Sequence, residues 1–351
     1  MDVKKFIEQL IADARKETTT TIIIFLANVQ GLTSNNNDYA DNSIITEFLT
    51  MNEYNELLTA MQEFGFYVLT YFEFDEFLLD YLNGKFRTKK IIIFEGTQKG
   101  VGRARDAFFP AYCDLENLIH TGPNAYVNSI CTNKYHWTKL LNAHDICVPN
   151  SWRFFNGTWL HNSKPSMNKT LIAKPCYECA SIGIHKQSVA KYSVDYETYL
   201  EQISQQYNQP LIVQEFISGY EVEVPVIIHH CIPYILPPVI LCKSGNALMG
   251  DAFLDFDDIY EDNYQFSLLE SINNVWCFNV KKQALRIIEL MELERYVRID
   301  FRIALDGTSY VTDINAYPHI VRHSSFAFAF NQMGIDAQYI LPCLIGNVLT
   351  D

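Results

Sequence analysis

Positive charge is scarce in this chain. Its 351 residues carry 27 Lys and Arg against 41 Asp and Glu, a net charge of -14. Such a surface disfavours broadly anionic partners, so neither nucleic acid nor an acidic membrane is expected as a ligand; a local cluster of Lys and Arg stays free to grip a phosphate. Long apolar runs are missing too. The longest, such as residues 22–29, have strand length and fall far short of a membrane span. Disulfide spacing is absent. Nine cysteines, an odd number, are scattered from Cys113 to Cys343, which points to the cytoplasm. The single CxxC, Cys176 to Cys179, lacks the second pair of a zinc site and is weak support for a thioredoxin-like redox role. The N-terminal stretch MDVKKFIEQLIADARKE reads as an amphipathic surface helix and not as a secretory leader. No fixed-period repeat occurs, and the polar run at residues 33–42 reads as a surface loop. The Gly-rich stretch EGTQKGVGRARD contains neither GxGxxG nor GxxxxGK followed by Ser or Thr, which excludes both common nucleotide fingerprints.

What is present describes a folded chain: 48% hydrophobic and 19% charged residues, over a length that one core does not usually hold. Three parts are expected. Residues 1–121 alternate strand and helix patterns, with IITEFLTMNEYNELLTAMQEFG as a helix stopped by Gly65, and suggest an α/β unit with a parallel sheet. Residues 122–217 hold a helix at NKYHWTKLLNAHD, the strand TLIAKP, a strand at IGIHKQ, the helix DYETYLEQISQQY and the strand PLIVQEFI, a small α+β unit. Residues 218–351 begin with SGYEVEVPVIIHH and contain an acidic loop, a long helix, a hairpin and two apolar helices.

The hairpin, RIDFRIALDGTSYVTDINAYP, carries the sharpest signal. Side chains two apart on a strand share a face, so Arg298 pairs with Asp300 and Asp313 with Asn315. Asp306-Gly307 favours a tight reversal, which brings the arms together. Asp300, Asp313 and Asn315 then offer three oxygen donors with no His or Cys, a set suited to magnesium. Arg298 beside them can hold a developing anion. A solvated face with structural ion pairs is the competing reading. Two further places weigh against it. Lys174 ends an apolar strand before a loop of small residues, an arrangement that can grip phosphates through a lysine and backbone N–H groups. LIVQEFISGYEVEV is a strand with a break at Ser218-Gly219 and acids at Glu221 and Glu223, able to offer backbone groups to an adenine and a carboxylate to a ribose.

In this order, these stretches resemble the ATP-grasp superfamily, most closely its D-alanine–D-alanine ligase branch, over roughly residues 94–334. The resemblance implies a three-domain α/β and α+β fold with ATP held between two α+β subdomains. It implies that Lys134, Lys174 and Ser181 contact phosphates, that Gln214, Glu215 and Ile217 surround the base, and that Glu221 meets the ribose. Asp300, Asp313 and Asn315 would bind two magnesium ions, with manganese able to substitute, and Arg298 would stand beside the reacting carbonyl. Ser324 matches a serine that binds the second substrate's carboxylate. The implied reaction is a two-step ligation: a carboxylate takes the γ-phosphate, and an amine displaces phosphate from the acyl phosphate. The implied partners are a small carboxylate and a small amine, and a second copy of the chain, since ligases of this branch are often dimers.

The departures fall on the substrate side. Ala180 replaces a serine of the phosphate loop, and Pro318-His319 replaces a Pro-Gly whose glycine approaches the reacting centre. The branch's N-terminal Gly-rich loop has no match near LANVQG. The lid lysine has no counterpart in the acidic loop holding Asp251, Asp255, Asp257, Asp258, Glu261 and Asp262. The expectation is therefore a carboxylate–amine ligase acting on an amino-acid-type substrate other than D-alanine. The alternatives are an ordinary D-alanine–D-alanine ligase with a diverged pocket and a non-catalytic ATP-binding protein. The acidic loop is either a solvated lid or, through Asp257 and Asp258, an attractor of a cationic amine. His319, a single unpaired histidine, is read as filling space, with a general base as the alternative.

Overall fold

The computed structural model describes residues 2–34 and 38–350. The polar run at 33–42 therefore lies partly outside the described residues. Three sheets are built along the chain. The first contains β1 (Thr21–Ala27), β2 (Tyr67–Tyr71) and β3 (Lys90–Gly96), all parallel in the order β2-β1-β3. Around it lie α1 (Val3–Lys16), α2 (Met51–Phe64), α3 (Phe74–Leu82) and α4 (Phe108–Glu116). Helix α2 starts later than the apolar spacing suggests. Thr50 and Glu53 form a reciprocal capping box that sets its first turn, and the preceding Ser43–Glu47 is a 3₁₀ turn. Gly65, at φ 109°, ends the helix in the left-handed conformation that favours glycine.

The second sheet follows α5 (Ala125–Thr132) and α6 (Lys134–Ala143). It contains β4 (Ser151–Phe155), β5 (Thr158–Trp159), β6 (Thr170–Pro175), β7 (Val189–Lys191) and, after α7 (Val194–Gln206), β8 (Leu211–Glu215), in the antiparallel order β5-β4-β8-β6-β7. The strand expected at IGIHKQ is displaced: Ser181–Ile184 closes a turn, a short 3₁₀ turn follows, and pairing resumes only at Val189.

The third sheet contains β9 (Gly219–His229), β10 (Ile232–Ile235), β11 (Val239–Cys242), β12 (Leu248–Gly250) and, after α8 (Phe256–Tyr260), β13 (Gln265–Leu268). It is completed, after α9 (Asn274–Met291), by β14 (Tyr296–Ala304) and β15 (Ser309–Asn315). Its order is β13-β11-β9-β14-β15, with β10 and β12 also paired to β9. One face of this sheet packs against α9: Val222, Val224, Ile299, Phe301, Val311 and Ile314 are buried with Val280, Ala284 and Ile287. The opposite face is divided: Ile227, Val239 and Tyr296 join the core of the first sheet, and Glu223, Arg298 and Asp300 form a polar patch.

Two apolar helices close the chain, α10 (Ser325–Gln332) and α11 (Ile340–Thr350). They return to the first sheet. Ile7, Leu10 and Ala14 of α1 share a core with Leu344, Ile345 and Val348 of α11 and with Phe326 and Phe330 of α10, so the expected surface helix α1 has one face fully covered. At the α1–α11 crossing, a Cβ on Gly346 would lie 2.0 Å from the Leu10 carbonyl oxygen. Gly346→Ala should therefore force the two helices apart and lower stability by about 1–3 kcal/mol. Thermal unfolding checks this, and an unchanged Tm would show that the crossing yields without cost.

Candidate active site

The site begins with a β-bulge. Strand β15 pairs with β14 through Arg298–Asn315, Ile299–Ile314 and Asp300–Asp313, and then skips to Phe301–Val311. Thr312 is the extra residue. Without the bulge, Val311 would share a face with Asp313, its neighbour two along; with it, Val311 faces the core beside Phe301 while Asp313 stands on the polar face beside Asp300. Strand β9 adds a third carboxylate, because Glu223 is opposite Asp300. Glu223, Asp300 and Asp313 thus form a row across three strands, with Arg298 and Asn315 opposite each other one step along.

Cations hold this row. Arg298 donates from Nε and Nη2 to the two oxygens of Asp300, both at 2.8 Å, and its Nε lies 3.4 Å from Glu223. Lys134, the first residue of α6, reaches Asp313 at 3.1 Å. Lys174, at the end of β6, reaches the Thr312 carbonyl at 3.4 Å. Burial raises Asp300 above the ordinary carboxylate value, opposed by Arg298 and reinforced by Asp313. Burial works the same way on Asp313, but Lys134 and Lys174 outweigh it and hold that carboxyl below its ordinary value. Glu223 is pushed up to about 7 by burial, against the pull of Arg298. Lys174 is lowered by burial and by Lys134 beside it.

These groups line a cavity of about 860 Å³ where the three sheets meet. It also receives Ser181, Gln214, Glu215, Ile217 and Glu221, so nearly all of the residues implied by the family resemblance converge. Glu215 is bonded to Lys169 and accepts from Asn150 at 3.0 Å, while its own amide donates to the Asn150 carbonyl at 2.9 Å. Glu221 lies 3.3 Å from Arg302, whose guanidinium also donates to the Gly250 and Ala252 carbonyls and lies over the Phe216 ring. Ser324 stands apart: it is buried, and its hydroxyl accepts from the Ala327 amide as the N-cap of α10.

The acidic loop differs from the cation-attracting reading. Asp258 is tied to Lys243 at 2.5 Å and accepts from the Asp255 amide, so it fastens the loop. Asp257 is exposed, and neither lines the cavity. Of the loop's acids only Asp262 does, and it lies 2.8 Å from His323.

Arg302 and Arg105 carry no local motif, and Glu53 reads locally only as the acid of a capping box, so their place around the cavity appears only in three dimensions. Arg105 is buried between Glu47 and Glu178, 3.2 and 3.1 Å away. Glu178 also accepts from Tyr39 at 2.5 Å and Gln209 at 2.7 Å. Tyr39, expected on a surface loop, is buried. The cluster ties the first sheet's connections to the loop holding Ala180 and Ser181, two non-glycine residues in left-handed conformations (φ 47° and 55°). His319 is not alone either: its Nε2 lies 2.8 Å from Glu53 on α2.

The donor set fits magnesium in kind. It consists of two carboxylates and an amide oxygen on adjacent strands, and magnesium takes few protein oxygens and completes its shell elsewhere. Among the described residues, no group of three or more His, Cys, Asp or Glu side chains is placed to hold a metal ion by itself. All nine cysteines are free thiols, and among the described residues no helix is long and apolar enough to cross a membrane.

Architecture and comparison agree. The fold is that of the ATP-grasp ligases: the D-alanine–D-alanine ligase from Bacillus anthracis complexed with ATP superposes with a TM-score of 0.65 at 14% identity over 94% of this chain and 97% of that one. The VanG D-Ala:D-Ser ligase from Enterococcus faecalis superposes with a TM-score of 0.63 at 15% identity, over 94% of this chain and 99% of that one. Residues 140–346 match the family described as D-ala D-ala ligase C-terminus, and the chain belongs to that family. The D-alanine–D-alanine ligase of Borrelia duttonii (strain Ly) is 25% identical over 253 residues, 68% of this chain and 66% of that protein. That of Geobacillus thermodenitrificans (strain NG80-2) is 25% identical over 177 residues, 50% of this chain and 46% of that protein. The chain thus spans between about half and two thirds of the length of these relatives.

At the C-terminal end of β3, Glu95 lines the same cavity and is buried, accepting from the Thr97 amide at 3.1 Å. Burial pushes it up to about 7, with Tyr317 and Thr97 pulling the other way. An acid whose folded pKa is raised contributes full stability below its unfolded pKa and loses it as pH rises through the folded value. Glu95→Gln should therefore be more stable than wild type above pH 7, by about 1–3 kcal/mol. The advantage should fade toward pH 4.5. Urea unfolding at pH 5 and pH 8 measures the difference.

Proposed function

We propose that this protein is an ATP-dependent carboxylate–amine ligase of the D-alanine–D-alanine type, working in the cytoplasm on small-molecule substrates and releasing ADP and phosphate. The observation that carries this is the row Glu223, Asp300 and Asp313 with Arg298, Lys134 and Lys174 around it, set in a cavity between sheets of an ATP-grasp fold. Between the two substrate readings, the ordinary D-alanine one is better supported, because the matching relatives are D-alanine–D-alanine ligases. The diverged substrate side remains the reason to test other amines. A non-catalytic role has less support, since Asp300, Asp313, Asn315 and both lysines line one cavity.

The residues divide the work by position. Lys134 and Lys174 lie beside Asp313 and place two cationic groups where phosphate oxygens would enter. Magnesium, held by Asp300, Asp313 and Asn315, would neutralise the triphosphate enough for a carboxylate to approach it. Gln214, Glu215 and Ile217 form the end of the cavity that would take the base, with Glu221 toward the ribose. Arg298 is anchored on Asp300 through Nε and Nη2 and lines the cavity, where its charge can stabilise a carbonyl oxygen that becomes negative. An acyl phosphate formed here would have to be shielded from water before the amine reaches it.

Phosphate release should require ATP, magnesium and D-alanine or another amino-acid pair, and should stop when EDTA removes the metal. Asp313→Ala should lower it by about a hundredfold or more, as loss of one group stabilising charge in a transition state does. A panel of amino and carboxylic acids, singly and in pairs, provides the assay. Tight ATP binding with no release from any pair would instead favour a non-catalytic protein.

A further inference from the structure

The residue that departs most from the family pattern is also the one the structure equips. His319 lies four residues beyond Asn315 and lines the same cavity as Arg298 and Asp300. Its Nε2 is 2.8 Å from Oε1 of Glu53, and its Nδ1 has no partner among the described residues. Glu53 is itself fixed. Its other oxygen accepts from the Thr50 amide at 2.7 Å and the Thr50 hydroxyl at 2.9 Å in the capping box that starts α2. Burial pushes the Glu53 carboxyl up, but the bonds from His319 and Thr50 outweigh it and keep the group ionised. A fixed carboxylate that accepts from Nε2 selects the tautomer with Nδ1 unprotonated, able to take a proton.

Resting on the ligase reading above, we infer that Glu53 and His319 form a base dyad that deprotonates the amine substrate in the second half-reaction. The ammonium gives its first proton to Nδ1 of His319. The free amine attacks the carbonyl carbon of the acyl phosphate, and a C–N bond forms as the carbonyl oxygen takes the electron pair beside Arg298. The intermediate collapses, the C–O bond to phosphate breaks, and the second nitrogen proton leaves with the phosphate. Atoms and charge balance without a further reactant. His319 is the catalytic base and Glu53 its positioning residue.

The surroundings suit an ammonium. At this end of the cavity stand Glu53 and Glu56 from α2, Arg322 and His323 from the loop of His319 itself, and Asp262 and Tyr264 from the segment before β13. Arg322 is drawn to Glu56, its Nε 3.9 Å away and its amide donating to the same side chain at 2.8 Å, and His323 lies 2.8 Å from Asp262. Burial, reinforced by Glu223, Asp262 and Glu53, keeps Tyr264 a protonated phenol. His319 is thus the group in this set whose acceptor nitrogen is available.

The test separates amines by whether they need a base. Hydroxylamine is uncharged at neutral pH and traps acyl phosphates as hydroxamates, whereas D-alanine arrives as an ammonium. With the full chain, ATP, magnesium and D-alanine, His319→Gln should lose dipeptide formation by about a hundredfold or more while hydroxamate formation stays within a few-fold. Raising the pH should rescue the variant's dipeptide formation about tenfold per unit while the amine is deprotonated by solvent. Glu53→Gln should show the same split, more weakly. In the free protein, nitrogen NMR should place the proton of neutral His319 on Nε2. Equal loss of both products, or loss of neither, overturns the dyad. Hydroxamate from wild type with either of those patterns leaves the ligase reading standing. No hydroxamate from wild type with any acid removes that reading, and the base assignment with it.

Discussion

Placing three carboxylates side by side on one sheet face is the constraint around which this protein is arranged. Glu223, Asp300 and Asp313 would repel one another in a buried row. Arg298 on the same face, Lys134 from the start of a helix and Lys174 from the end of a strand in a different sheet balance them. The second and third sheets must therefore meet at this row, and the cavity is where they meet. Strand β15 satisfies two demands at once through one added residue: an apolar side chain toward α9 and an acid toward the cavity. The site depends on that local irregularity as much as on residue choice.

Much of this was legible in the chain because its signals are local. Two-residue spacing put Arg298 with Asp300 and Asp313 with Asn315, and the Asp306-Gly307 turn brought the arms together; the observed register pairs them directly. The parallel first sheet followed from alternating patterns. Helix α2 was placed too early because apolar spacing continues through residues 43–50, while the start is decided by the reciprocal bonds of Thr50 and Glu53. The strand expected at IGIHKQ gave way to a turn closed by the Ile184 amide on the Ser181 carbonyl.

The remainder was hidden because it depends on long-range meetings. Tyr39, Glu47, Arg105, Glu178 and Gln209 form one cluster from four separate stretches of the chain, and none of them has a spacing that announces it. Ser324 had a motif position but spends its hydroxyl on a helix amide. His319 looked solitary because its partner is 266 positions away. Asp258, which looked free to attract a cation, is engaged by a lysine that lies outside the acidic run.

The Arg105 cluster also bears on what an opening of the cleft would cost. The first and third sheets share a core through α10 and α11, while the second sheet's core is joined by Tyr39, Ile44 and Phe48 from the connection that follows β1. Any swing that widens the cavity has to pull Glu178 away from Arg105 and Tyr39, exposing charges that are now dry. Such an opening begins against a barrier and ends with the gain of hydrating those charges, a profile that favours two positions over a continuum. The guanidinium of Arg105 would thus set the cost of opening a cavity that it does not line.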